Sequence, residues 1–322
     1  MILKSFAKIL AATAMVVVAG SAMAANIAVV GGKADDLFFN KIKKGMDDAC
    51  LAVVANGGKC TYLQLQTYDN IGADAAQLVR TAISQGVDGI VVPNWVPDAE
   101  DPAIKEALEK GIKVILMNAG GGDKAKELGA INYVGNEEYP AGLAAGEYFA
   151  AKGVKNIICI NTVPGAGNLE DRCRGVADGA AKAGSKSTQL PLPASSFGDP
   201  TAVAEAIKAT LLKDETIDGA VTISAGDADS AATGVEQAGK TGKVMLASFD
   251  FNQSGLDRIK AGTQGFAIDQ QPYLQGNIAT NLLANYIDFG NLLPTNPVLT
   301  GPGIVDSSNI EPTLKGVTAG AR

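Results

Sequence analysis

Short apolar runs alternate along the chain with stretches of helical periodicity. Asn26-Ile-Ala-Val-Val-Gly31 is one such run, and after it Phe39, Ile42, Met46, Ala49, Cys50 and Val53 recur at helical spacing until Gly57-Gly58. The same reading gives a strand over 61–66, a helix over 73–85, a strand over 88–92, a helix over 104–110 and a strand over 113–117. The alternation resumes after residue 135, with strands over 156–160, 187–192, 219–223, 244–249 and 265–268 and helices between them. Apolar strands separated by helices of about 10–15 residues predict parallel sheets covered on both faces. The units suffice for two doubly wound sheets, with the break near Tyr133-Val134-Gly135.

Composition narrows the function. The chain has 322 residues, 47% hydrophobic and 19% charged, which is globular and long enough for two domains. Its net charge of −7 argues against a nucleic-acid partner, which a basic field would attract. With no histidine, His-based triads, His-ligated metals and His general-base chemistry are excluded. Lys4 and Lys8, the apolar run 9–19 and Ala22-Met23-Ala24 predict a secretory signal peptide over 1–24, cleaved after Ala24. Ala25 stands where a lipoprotein would need Cys, and no second run reaches membrane length. Export permits disulfides, and the four cysteines allow three pairings. Neighbour pairing, Cys50 with Cys60 and Cys159 with Cys173, is expected, because each pair spans one strand–helix unit; four buried free thiols are the alternative. No C-x-x-C cluster suggests zinc, so no metal is expected.

In open parallel sheets ligands bind beyond the C-terminal strand ends. Those positions carry Asp36, Phe38 and Phe39, then Asn94 and Trp95, then Asn118, and in the second half Arg172, Asp227, Asp250 and Gln270. Carboxylates, amides and an arginine match hydroxyls, which both donate and accept, and the aromatics suit the flat faces of a sugar ring. The plainer readings are a core role for Trp95 and for one of Phe38 and Phe39, and a helix cap for Asp36 that leaves its second oxygen free. Asp227, Asp229 and Asp250 could pair as glycosidase carboxylates, but Asp229 reads more simply as a cap. Gly165-Ala-Gly167 and Gly120-Gly-Gly122 lack the partners of a dinucleotide fingerprint or a P-loop and read as turns.

Taken in order, the motifs Asp36-Leu-Phe-Phe39, Val114-Ile-Leu-Met-Asn-Ala-Gly120, Tyr133-Val-Gly-Asn-Glu-Glu-Tyr-Pro-Ala-Gly142, Leu169-Glu-Asp-Arg-Cys-Arg-Gly175, Leu246-Ala-Ser-Phe-Asp250 and Ile268-Asp-Gln-Gln-Pro-Tyr-Leu-Gln-Gly276 carry a resemblance. The chain after residue 24 resembles the sugar-binding, ribose-binding-like branch of type 1 periplasmic binding proteins, the solute receptors of bacterial ABC importers. Repressors of the lactose-repressor type share the fold but begin with a helix-turn-helix, where this chain has a signal peptide. The resemblance implies two lobes, 25–134 plus 270–298 and 135–269 plus 299–322, joined by three crossings with a sugar between them. By position it implies that Arg172 binds the ring and hydroxyls, that Asp250 and Gln270 bind at the second lobe and hinge, and that Phe38 and Phe39 flank the sugar. Asp36 and Asn118-Ala119 depart from the Asn and Asp-Arg of ribose receptors, which implies a pentose, hexose, polyol or sugar-derived signal other than ribose. A monomeric periplasmic receptor without cofactor or catalysis, working with an inner-membrane permease, is the expectation. A receptor for a sugar-like autoinducer or chemoattractant, or a secreted carbohydrate-active enzyme, are the alternatives.

Overall fold

The computed structural model describes residues 24–292 and 294–322, so the predicted signal peptide lies outside the described residues except for Ala24. From Asn26 the chain runs β1 (Asn26–Gly31), α1 (Leu37–Ala55), β2 (Lys59–Gln64), α2 (Ile71–Ser84), β3 (Gly89–Val92), α3 (Pro97–Glu109), β4 (Lys113–Met117), α4 (Gly121–Leu128) and β5 (Asn132–Gly135). The second half repeats the pattern with α5 (Glu138–Ala151), β6 (Asn156–Asn161), α6 (Gly167–Ala181), β7 (Lys186–Pro191), α7 (Pro200–Lys213), β8 (Gly219–Thr222), α8 (Ala225–Gln237), β9 (Met245–Phe249), α9 (Gln253–Ala261) and β10 (Phe266–Asp269). Last come α10 (Pro272–Phe289), β11 (Val298–Leu299), β12 (Gly303–Val305) and α11 (Glu311–Thr318).

Two six-stranded sheets result, ordered β11-β5-β4-β3-β1-β2 and β12-β10-β9-β8-β6-β7. The inner strands are buried along their length, as a parallel sheet covered by helices requires. The expected all-parallel pattern fails at one strand. β11 is parallel to β5, but β12 is antiparallel to β10. The reason is geometric. β10 ends at the crossing, whereas β12 begins there with no helix to turn the chain round, so it runs the opposite way.

Two further elements differ from the sequence reading. Helix α3 begins at Pro97, a residue suited to a first helical turn and easily taken for a loop. The Gly120-Gly-Gly122 stretch is a helix start: Gly120 has φ 102°, α4 follows at once, and Gly122, Ala125 and Leu128 face inward.

Glycines set the closest helix contacts. A Cβ on Gly45 or Gly276 would strike the facing backbone of α10 or α1, and one on Gly142, Gly146, Gly175 or Gly179 would strike the facing backbone across the α5–α6 contact. Cys50–Cys60 ties α1 to β2, and Cys159–Cys173 ties β6 to α6, so each lobe has its own disulfide and neither bond spans the crossings. Each closes a short loop, contributing about 3 kcal/mol on the chain-entropy account. The crossings are bonded to one another: Thr300 N–H donates to the Gly135 carbonyl at 2.8 Å, Thr300 Oγ1 to the Gln270 carbonyl at 2.7 Å, and Gln271 Nε2 to the Thr300 carbonyl at 2.7 Å. Among the described residues no helix is long and apolar enough to cross a membrane.

Candidate functional site

The two sheets point their C-terminal strand ends at each other, so equivalent loops face across a cleft. Asn118 follows β4 and Asp250 follows β9, the matching strands of the two sheets. Both have left-handed backbones, φ 66° and 59°, and each N–H donates to the neighbouring strand, to the Val134 carbonyl at 3.1 Å and the Ile268 carbonyl at 2.7 Å. Asn and Asp tolerate this conformation better than other side chains. The turn lifts each side chain out of its sheet and into the cleft. Gln271, beside Gln270, is the third non-glycine residue of this kind among the described residues, at φ 53°.

Between the lobes lies a cavity whose empty volume, open solvent included, is ≈ 500 Å³. Asp36, Phe38, Phe39, Trp95, Asn118, Arg172, Asp250 and Gln270 line it, so most sequence candidates converge. Phe39 is core-buried and meets Trp95 edge to face at 5.6 Å, while Phe38 is half-buried. Two candidates lie elsewhere. Asn94 is buried behind the wall, where its Nδ2 donates to Asp101 at 2.9 Å, because the chain turns there and sends Trp95 inward instead. Asp227 lines an adjoining chamber and accepts from Thr162 Oγ1 at 2.8 Å and Ser224 Oγ at 2.9 Å. Asp229 does not cap α8, since Ser224 does; it pairs with Arg258 at 2.6 Å.

Asp36 caps α1 through Oδ1, which accepts from Phe38 N–H at 2.9 Å, and its Oδ2 accepts from Tyr68 Oη at 2.6 Å. Burial pushes its carboxyl up. Asp250 Oδ2 accepts from Gln270 Nε2 at 2.8 Å, while its Oδ1 is buried with no protein partner. Burial raises Asp250 to about 7, against the opposing pull of Arg172 and Lys41. The helix after Asp250 is capped by Asn252, which leaves the aspartate free for the cleft.

Arg172 lines the cavity and is also tied inside the protein. It pairs with Glu138, through Nε at 2.7 Å and Nη2 at 2.9 Å. Nη1 donates to the Ile223 carbonyl at 2.9 Å, Nη2 also donates to Gln270 Oε1 at 2.8 Å, and the guanidinium lies 4.5 Å from the Phe249 ring. Of its five N–H donors, one on Nη1 is left for a ligand. Arg172 is thus a neutralised, locked donor. Glu138 was missed because the pair joins residues 34 apart on two helices, α5 and α6. At the first turn of α5 a glutamate also reads as an ordinary dipole complement.

Other lining residues went unread for a simpler reason. Tyr68 follows β2 and Phe197 follows β7, the matching second strands, and the loops after those strands were not searched. The two rings meet across the cleft at 5.1 Å. Asn168, with a buried Oδ1 that has no protein partner, and Ser224 complete the polar lining. Two further bonds cross the cleft, from Gly167 N–H to the Trp95 carbonyl at 2.8 Å and from Lys41 Nζ to the Phe251 carbonyl at 3.2 Å. The lobes are in contact, and the cavity lies between them.

Two pseudo-symmetric lobes, a bonded set of crossings and an amphipathic cavity between them define a cleft-binding protein. Residues 27–291 match the model of the periplasmic binding protein domain, and the chain belongs to that family. It is similar to a carbohydrate transporter from Acidothermus cellulolyticus 11B whose crystal structure holds myo-inositol, with 34% identity, 92% of this chain and 99% of that one covered, and a TM-score of 0.83. It is 25% identical over 291 residues to the xylose/arabinose-binding protein XylF of Sulfolobus acidocaldarius, covering 86% of this chain and 70% of that one. A solute-binding protein of Burkholderia graminis C4D1M in complex with D-arabinose shares the fold at 24% identity and a TM-score of 0.76, covering 89% of this chain and 96% of that one.

Proposed function

We propose that the protein is the solute receptor of a sugar ABC importer and closes its lobes over one neutral monosaccharide or cyclic polyol. The observation that carries this reading is an arginine on the cavity wall, Arg172, paired with the buried Glu138 beside the lining acids Asp36 and Asp250. A carboxylate or phosphate ligand would meet two acids and a guanidinium already neutralised, with no further cation among the described lining residues to offset its desolvation. Ring hydroxyls suit the same groups. They donate to Asp250 Oδ1 and Asn168 Oδ1, which have no protein partner, and accept from the remaining Arg172 N–H. Phe38, Phe39 and Trp95 supply the apolar face. The relatives with myo-inositol and with xylose or arabinose in their descriptions support the ligand class.

Ligand contacts to both lobes favour the closed form only by their differential affinity for it. The closed pair would then present a joint surface to a permease in the inner membrane. The receptor acts as a monomer in the periplasm after removal of residues 1–24, which N-terminal sequencing of the exported protein checks. Calorimetry against myo-inositol, D-xylose, L-arabinose, D-galactose and the matching sugar acids tests the ligand class. At least one neutral compound should bind at least 100-fold tighter than its acid. Equal or tighter binding of the acids would overturn the reading.

A further inference from the structure

Past the aromatic cavity the cleft opens into a second chamber, with ≈ 1130 Å³ of empty volume counted to its mouth. The two share Asp36, Phe38, Phe197, Ser224 and Asp250. Their linings differ in kind. The second chamber has no Trp; its walls are the first turns of α1, α7, α8 and α9, with the caps Asp36, Asp199, Ser224 and Asn252. First-turn N–H groups and Lys41 Nζ donate, and carboxylate and amide oxygens accept. Asp250 Oδ1, buried and without a protein partner, belongs to a residue that borders both chambers.

Anionic ligands fit this lining poorly, because its carboxylates outnumber its one lysine. Asp227 is held by two hydroxyls, Asp229 by Arg258, and Asp199 by its own helix. Among the described residues no group of acids could hold a metal ion. Lys41, the cation on the wall, is offset by Asp36, Asp250 and Asp269. Donors mixed with an excess of carboxylate and amide acceptors match hydroxyls, which donate to each acid and accept from the few donors.

We propose that the second chamber is a subsite for a second hydroxylated ring, so that the cleft takes a two-ring glycoside with its first ring in the aromatic cavity. This rests on the sugar-receptor reading above. The linkage would pass Phe38 and Phe197, and a hydroxyl beside it would donate to Asp250 Oδ1.

Calorimetry on matched pairs tests it: myo-inositol with O-galactosyl-myo-inositol, D-xylose with xylobiose, and D-galactose with melibiose. In one pair or more the two-ring compound should bind at least tenfold tighter than the single ring. Gly226→Phe should abolish that gain and leave single-ring affinity within twofold. A Cβ at Gly226 has only Ser224 Oγ nearby, at 4.0 Å, so the variant fills the chamber without a clash at the backbone. Thr233→Trp, also on this wall, should act the same way. Single rings that bind while every two-ring partner binds no tighter would overturn the subsite and leave the receptor reading intact. A two-ring gain that survives both variants would also overturn it. Binding of neither class would remove both readings.

Discussion

Asp250 is where the site depends most on a single side chain. A carboxylate that ends an apolar strand, turned out by a left-handed backbone, is buried with one oxygen unpartnered. Asp250→Asn and Gln270→Ala should each reduce sugar affinity at least tenfold, about 1.4 kcal/mol, with the fold intact by circular dichroism. Arg172 carries a larger structural load, because its removal strands Glu138 in the interior. Arg172→Ala should cost about 3–5 kcal/mol in denaturant unfolding, and adding Glu138→Gln should recover part of it. Acidity follows from burial too. Asp227, Asp250 and Glu100 are raised to about 6, 7 and 8, so the folded state holds protons that the unfolded chain releases. Their contribution to ligand-free stability is complete below about pH 4 and lost as pH rises through 6, 7 and 8. Denaturation at pH 5 and pH 8 should show this decline, and Glu100→Gln should shrink it. At this scale the sequence was readable where chemistry sat at a strand end, as for Asp250 and Trp95. It was unreadable where meaning depended on a distant partner, as for Glu138.

Among the elements, helix contact through glycine links packing to the site. Gly142 of α5 rests on the Arg172 carbonyl of α6, and Gly175 of α6 rests on the Tyr139 carbonyl of α5. The close approach brings Glu138, on the first turn of α5, within reach of the Arg172 guanidinium. Gly142→Val should destabilise by about 1–3 kcal/mol or more through overpacking, and should weaken sugar binding by displacing Arg172. Melting temperature and calorimetry on one preparation check both effects. The inner strands β1, β3, β4, β6, β8, β9 and β10 were legible to within a residue or two because burial on both faces leaves unbroken apolar runs, whereas β5, β11 and β12 were not read as strands. Helix α4 was not, because its first turn is glycine and its amphipathic stripe is short. Tyr68 and Phe197 show that a strand-end rule finds only the loops to which it is applied.

For the whole molecule, the cleft-crossing bonds are few: Gly167 to Trp95, Lys41 to Phe251, and the Tyr68–Phe197 ring contact. Without a sugar to join the two polar linings, closure rests on these contacts and on Lys33 Nζ against the Phe197 ring at 5.7 Å, and the lobes should spend time apart. X-ray scattering should give a smaller radius of gyration once a bound sugar saturates the protein. An unchanged radius would mean that the lobes stay together without ligand.

The first lobe is not built from a continuous stretch of chain. Its sheet is covered by α10 and edged by β11, which come after the whole of β6–β10. Helix α10 buries Ala279 and Leu283 and lies against α1 at Gly45 and Gly276. As the polypeptide emerges from a ribosome or a translocation pore, this half can collapse but cannot lock until its closing helix arrives. The second half has its five parallel strands and their helices in unbroken order and can settle earlier. Chain order is therefore written into the topology: the part made first is completed only by a helix and a strand made after β6–β10.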